Sequence, residues 1–429
     1  MNNLAVELNK TLESSVVLTL LSEYGKRFYF PKGIAAQSGE AKKNAKKLNA
    51  TIGMAISEGN PMYLEAIHKH LNDVSPKETY TYAPVAGVQK LRDEWAKHIR
   101  NKNPELGDTP ISQPTVVPGL TNGITQLADM FVDPGDSVIV PDMFWGNYRL
   151  IFEGRREAAL HQFPFFKKNL EGMDIDALKD TVRNKSKNGK AVLILNFPNN
   201  PTGYSPTTQE AEEIARAVEK LGNEGYKLLV IVDDAYFGLF YEENLYTQSL
   251  FAKLAGIHEN ILAVKADGAT KEDFVWGFRI GFLTFGCKGL SADQYEAIIT
   301  KLKGSLRASI SNANHLAQTL LLKAFHSEGY QEEKRRNREI LFERYKKVQD
   351  FLKHNECPLK PMPFNSGYFM NFYSPKGRTE ELRQDLLFNQ GIGTISIQDM
   401  YLRVAYSSVD IGQIDELYSA IFETARRML

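Results

Sequence analysis

Four stretches of this chain carry residues that could do chemistry, and each follows a run of apolar or β-branched residues. Leu228–Val232 leads straight into Asp233-Asp234-Ala235-Tyr236. An acid at the end of an apolar strand is half desolvated and needs a partner, which could be a metal, a base or a cationic ligand. Ala191–Phe197 leads to Asn199-Asn200-Pro201-Thr202-Gly203, as a bare pattern a turn. Thr115–Pro118 leads to Gly119-Leu120-Thr121 and a helical stretch. Free backbone N–H groups at that helix start could cradle a phosphate, and ordinary capping explains the same residues. Ile261–Lys265 leads to Gly268-Ala269-Thr270-Lys271, and eight residues after Lys271 stands Arg279, within Gly277-Phe278-Arg279-Ile280-Gly281. As a surface residue Lys271 would be inert. Buried, it would have a lowered pKa and could attack a carbonyl.

The elements that must position these residues are short. The runs above, with Ser137–Pro141 and Ile280–Phe285, are the expected strands. Several are apolar without alternation, as for strands covered on both faces. Helical patterns such as Thr121–Val132 and Thr208–Leu221 lie between them. This spacing predicts an α/β domain with a mostly parallel sheet, in which ligands bind at the C-terminal ends of the strands. After about residue 325 the pattern changes to a charged helix (Gln331–Asn355), three prolines, a short strand at Tyr368–Tyr373, and a final helix, strand and helix. We expect an N-terminal arm (residues 1–60) packed with a smaller α+β domain (326–429), around a large domain (61–325). Ser14–Ala50 reads as helix and loop, broken at Pro31-Lys32-Gly33. The basic stretch AKKNAKKL (Ala41–Leu48) reads as a solvated helix face.

Composition narrows the function classes. Lys+Arg and Asp+Glu both number 52, so there is no basic excess of the kind a nucleic-acid binder shows. Two cysteines in 429 residues, Cys287 and Cys357, form no disulfide framework, and a reducing, cytoplasmic setting is expected. Met1–Lys10 does not read as a signal peptide. No apolar run approaches the ~20 residues of a membrane span.

Taken together and in order, the motifs resemble the class I aspartate/aromatic aminotransferase family of fold type I pyridoxal 5′-phosphate (PLP) enzymes. The resemblance runs from Ile52 to Val409. It includes TYAPVAG (Thr81–Gly87), PGLT (Pro118–Thr121), DPGD (Asp133–Asp136), FWGNY (Phe144–Tyr148), NNPTG (Asn199–Gly203), DDAY (Asp233–Tyr236), ATK (Ala269–Lys271), GFRIG (Gly277–Gly281), RASISN (Arg307–Asn312) and YLRVAY (Tyr401–Tyr406). What it implies is a large sheet domain plus a small α+β domain. It also implies PLP as cofactor and transfer of an amino group between an amino acid and 2-oxoglutarate by a ping-pong mechanism.

Roles carry over residue by residue from that resemblance. Lys271 is similar to the Schiff-base lysine that holds PLP and then shuttles the substrate proton. Asp233 matches the acid that pairs with the pyridine nitrogen and keeps the ring an electron sink. Asn200 and Tyr236 match donors to the ring oxygen. Trp145 matches an aromatic on the ring face, a contact worth roughly 0.5–1.5 kcal/mol beyond area burial. Gly119, Leu120 and Thr121, with Arg279, match the phosphate site. Tyr82 matches a tyrosine that reaches the phosphate of a neighbouring subunit, which implies a homodimer with shared active sites. Arg403 matches the arginine that grips the substrate α-carboxylate, and Gly53 a glycine near the substrate. One position departs. Many relatives carry serine three residues before the lysine, where this chain has Gly268, and Thr270 would supply the hydroxyl instead.

Arg307 bears on specificity. In the dicarboxylate-specific branch an arginine in a similar context comes from the partner subunit and pairs with the side-chain carboxylate. An ordinary helix-end arginine explains the same residue. Glutamate/2-oxoglutarate is expected as one amino/keto pair, with aspartate or an aromatic amino acid as the other partner. A C–S lyase or other β/γ-eliminating enzyme would share the catalytic set. A PLP-sensing regulator would carry an added DNA-binding domain, and only about 60 residues precede the core.

Overall fold

The six apolar runs and one further strand form a single seven-stranded sheet. The computed structural model describes residues 1–31 and 33–429, so Lys32, in the expected break at Pro31-Lys32-Gly33, lies outside the described residues. The strands are β1 (Thr115–Val117), β2 (Ser137–Pro141), β3 (Ala159–Phe163), β4 (Lys190–Asn196), β5 (Lys227–Asp233), β6 (Ile261–Asp267) and β7 (Gly281–Gly286). Their order across the sheet is β1-β7-β6-β5-β4-β2-β3. Only β7 runs antiparallel to its neighbours. Val192, Ile194, Ile231 and Val264 enter one apolar cluster, while Leu193, Leu195, Val230 and Val232 enter another. Alternate residues thus bury on opposite faces, which is why these strands read as continuous apolar runs. The edge strand β3 was not expected. Its sequence ALHQF is mostly half-exposed and carries no apolar run.

The helices follow their patterns closely. Thr208–Asn223 starts at a reciprocal capping box between Thr207 and Glu210 and buries Ala211, Ile214, Val218 and Leu221. The charged helix is Tyr330–His354, with Asn337, Leu341, Arg344, Tyr345 and Val348 on its buried face. A four-stranded antiparallel sheet follows, made of β8 (Lys360–Pro361), β9 (Met370–Tyr373), β10 (Ile395–Ile397) and β11 (Tyr401–Val404), in the order β8-β9-β11-β10.

The stretch AKKNAKKL is a helix face only in part. The helix Ile34–Asn44 ends inside it, with Lys42 and Lys43 in the last turn where cations suit the helix dipole. Leu48–Asn49 then pairs in parallel with Ile392–Gly393, because Leu48 has an apolar face to bury. The NNPTG turn joins the large sheet to the C-terminal segment. Gly203 has φ +74°, and a Cβ there would sit 1.9 Å from the Phe369 carbonyl oxygen, so only glycine fits. The Gly203 carbonyl accepts from the backbone N–H of Asn365 and Ser366. No helix among the described residues is long and apolar enough to cross a membrane.

Candidate active site

A cavity of about 130 Å³ opens where β4, β5 and β6 end, lined by residues from the loops after these strands and from neighbouring segments of the sheet. β5 delivers Asp233, whose carboxylate is 3% exposed. Tyr148 Oη donates to its Oδ2 at 2.6 Å, and the backbone N–H of Ala235 donates to Oδ1 at 3.1 Å. Burial pushes the carboxyl's pKa up against these bonds and the charge of Lys271. Such a carboxylate is incomplete without a cation. Sequence reasoning gave Tyr148 no part. It stood in the quoted FWGNY motif, and nothing in its spacing showed that its hydroxyl turns to Asp233.

β6 leads into the one-turn helix Ala269–Glu272, which carries Lys271 into the cavity. Burial pushes the lysine down to about 8, against the pull of Asp233 and assisted by Arg279. The Nζ lies 4.5 Å from the centre of the Tyr236 ring. The departure at Gly268 has a steric cause. A Cβ there would lie 2.6 Å from the Ile280 carbonyl oxygen and 2.8 Å from Gly281 Cα, so backbone excludes a serine. Thr270 lines the cavity, and its Oγ1 is buried without a hydrogen-bond partner. Gly268→Ser is expected to overpack this strand end at a cost of about 1–3 kcal/mol. A thermal melt should show a lowered midpoint, and an unchanged one would refute the steric account.

The phosphate-like corner is built by the β1–β7 pairing. Gly281 lies opposite Val117, which sets Arg279 beside Gly119. At Gly119 the φ is +78° and a Cβ would meet Arg279 Nη2 at 2.4 Å. The helix Leu120–Phe131 begins there, and its first N–H groups lack partners within the helix. Arg279 itself sits at φ +54°, a left-handed conformation that costs of order 1–3 kcal/mol for a non-glycine residue and clusters at functional sites.

Across the cavity, β4 ends in Asn196, whose side-chain oxygen accepts from the Asn200 backbone N–H at 2.9 Å. Asn200 Oδ1 accepts from Arg403 Nη1 at 3.2 Å, which leaves its Nδ2 as the donor. Arg403, on β11, also donates from Nη2 to the Thr51 carbonyl at 3.0 Å and lies over the Phe369 ring at 4.3 Å. It is 2% exposed, and its Nε has no partner. No carboxylate pairs with it among the described residues. Burial pushes it down to about 10, so it stays charged at neutral pH. Tyr236 Oη lies 3.9 Å from where a Gly53 Cβ would be. Burial raises that phenol, reinforced by Asp233 and opposed by Arg403. Trp145 lines the wall, edge-on to Tyr148 at 5.5 Å.

Gly53, Gly119, Leu120, Thr121, Trp145, Asn200, Asp233, Tyr236, Thr270, Lys271, Arg279 and Arg403 therefore converge. Tyr82 and Arg307 do not. Tyr82 is 90% exposed. Arg307 lies in the last turn of the helix Ala292–Ser309, exposed, and bonds Ser311 Oγ at 2.5 Å. Phe369 and Thr51, which back Arg403, had no signal in the sequence beyond Phe369 lying within the matched region and Thr51 standing just before it.

This donor set fits PLP. An amine that is partly neutral stands beside a buried carboxylate lacking a cation. Free N–H groups, an arginine fork and the unpartnered Thr270 hydroxyl stand at one end, and an aromatic wall at the side. The comparisons with known proteins agree. LL-diaminopimelate aminotransferase of Gloeobacter violaceus is 28% identical over 57% of this chain, and the match spans 58% of that protein, under two thirds of its length. Aspartate/prephenate aminotransferase of Thermus thermophilus is 26% identical over 76% of this chain and 79% of its own. A crystal structure of an aminotransferase from Anaerococcus prevotii shares the fold, with a TM-score of 0.84 over 95% of this chain and 99% of that one at 23% identity. Residues 51–421 match the family described as aminotransferase class I and II. The chain belongs to that family, the fold type I, PLP-dependent aminotransferases.

Proposed function

We propose that this chain transfers the amino group of an amino acid, aspartate or an aromatic one, to 2-oxoglutarate by a ping-pong cycle at the cavity around Lys271. The observation that carries the reading is the pairing of two desolvated cationic groups at one site. These are Lys271, a half-buried amine in the cavity with its pKa pushed down to about 8, and Arg403, a buried guanidinium bonded to the cavity-lining Asn200 with no carboxylate partner among the described residues. PLP, when bound, supplies an aldehyde that links to amines and a ring that accepts an electron pair. Lys271 Nζ holds the cofactor and, once displaced, moves the proton from the substrate Cα. Asp233 holds a proton on the ring nitrogen, and Tyr148 orients Asp233. Asn200 Nδ2 and Tyr236 Oη donate to the ring oxygen. Gly119, Leu120, Thr121, Thr270 and Arg279 bind the phosphate, and Trp145 covers the ring. Arg403 binds the α-carboxylate as a planar fork, with Gly53 leaving room beside it.

Residues 61–325 then act as the cofactor domain, with 326–429 and the arm 1–60 as the small domain. The pairing of Leu48–Asn49 with Ile392–Gly393 supports that division. Tyr82 and Arg307 are assigned to the neighbouring subunit's cavity in a homodimer. Their exposure is compatible with this, and the helix-end position of Arg307 equally suits an ordinary surface arginine. The net charge of zero and the two cysteines support a cytoplasmic enzyme without nucleic-acid partners.

The test is a panel of amino donors with 2-oxoglutarate, monitored for glutamate. Ammonia release without added keto acid would sink the transaminase reading in favour of elimination. Arg307→Ala should lower kcat/KM for dicarboxylates by about 10-fold or more while sparing aromatic donors, as for loss of a charge-assisted bond of about 1.5–3 kcal/mol. Equal loss on both classes would remove Arg307 from specificity.

A further inference from the structure

Behind Asp233 lies a second set of buried charges that the reaction above does not use. Successive strand residues face opposite sides of a sheet, so Asp234 turns away from the cavity that Asp233 faces. β6 runs parallel to β5 with Ala266 beside Asp233, which places Lys265 and Asp267 on the side of Asp234. The Lys265 ammonium bonds Asp234 and lies 3.3 Å from Asp267 Oδ2. Ser249 Oγ donates to Asp234 at 2.6 Å, and Trp95 Nε1 donates to Asp267 at 3.1 Å. The ammonium also sits 4.7 Å from the Phe237 ring centre. Burial works against its charge, yet the two carboxylates more than offset this and keep its pKa above the ordinary lysine value.

Stability alone does not call for such a triad. Buried ion pairs can often be replaced by apolar residues of similar volume without loss. Its place is more telling: Asp234 follows Asp233 in the chain, and Asp267 precedes the turn to Lys271. One cation between two carboxylates leaves one net negative charge behind the cavity. Low-dielectric surroundings carry that charge's influence to its neighbours.

We infer that the Lys265–Asp234–Asp267 triad is a positioning device for the reaction centre. It holds the ends of β5 and β6 at one spacing, and its net negative charge favours protonation at the cavity. This rests on the reading that PLP binds at Lys271. The groups facing Asp233 are Lys271, Tyr148, Tyr236 and Asp234. Those facing Lys271 are Asp233 and Arg279. Lys102 faces Asp267, and Tyr246 faces Asp234. Apart from Asp234 itself, none of these changes in the variants below.

The experiment loads the full chain with PLP and records the pH midpoint of its visible absorbance. Asp234→Asn brings the triad from net −1 to neutral. A cation at Lys271 Nζ loses the negative charge that lies behind Asp233, so the midpoint should fall by about half a pH unit or more. Adding Lys265→Met restores net −1 through Asp267, and the midpoint of the double variant should return to the wild-type value. Should the double variant fail to fold, Asp234→Asn with Lys265→Gln offers the same charge count with a polar side chain. Midpoints that stay put while the thermal midpoint drops would overturn the inference and make the triad a structural brace. A wild-type chain that gains no visible band with PLP would overturn the cofactor reading instead.

Discussion

Replacing Lys271 with alanine is expected to abolish the visible absorbance of the PLP-loaded protein and amino-group transfer together. One atom has two tasks. Lys271 lines the cavity half-buried, and desolvation there pushes its pKa down to about 8. At pH 7 about a tenth of it is therefore neutral amine, against well under a thousandth for an ordinary lysine. That neutral fraction attacks an aldehyde. The same amine, once freed, is a positioned base, and loss of such a group costs about 10²–10⁴-fold in rate by itself. The two losses should therefore appear in one variant. The rate of PLP capture by the unloaded wild-type chain should rise with pH and level off above about 8, because the neutral amine is the reacting form. Turnover by Lys271→Ala within tenfold of wild type would remove the lysine from the chemistry.

How much of this site could be read from the chain depended on where each residue's neighbours come from. Asp233, Lys271 and Gly119 sit at the ends of apolar runs, and a strand end is visible in a sequence because burial on both faces leaves an unbroken apolar run. β3 escaped because ALHQF lies at the sheet edge, half-exposed, and so carries no such mark. Tyr148 and Phe369 escaped for a different reason. Their importance lies in a contact across the fold, the hydroxyl of one on Asp233 and the ring of the other beneath Arg403. Nothing local encodes either. The departure at Gly268 could be seen in the sequence but not explained. It needed the Ile280 carbonyl from β7, which leaves no space for a Cβ. Tyr82 and Arg307 mark the opposite limit, since a motif names them and no element of the chain brings them to the cavity.

Arg403→Leu is expected to leave the visible absorbance of bound PLP in place and to lower kcat/KM for every amino acid. A guanidinium that is 2% exposed, charged at neutral pH and free of any carboxylate partner among the described residues is an unmatched buried cation. The Thr51 carbonyl, the Asn200 oxygen and the Phe369 ring hold it in place without neutralising it. A substrate carboxylate completes the pair, and removing one partner of a desolvated charge pair costs about 2–5 kcal/mol. That corresponds to a fall of roughly 30- to 5,000-fold. The loss should fall mainly on KM, because the carboxylate is gripped in the ground state as in the transition state. Arg403→Lys keeps the charge but not the planar fork, so it should recover only part of the loss. Amines without a carboxylate supply the control, reacting equally slowly with wild type and variant. A drop in kcat/KM for those amines as large as for amino acids would show that Arg403 acts through Asn200 on the cofactor, and not on the substrate.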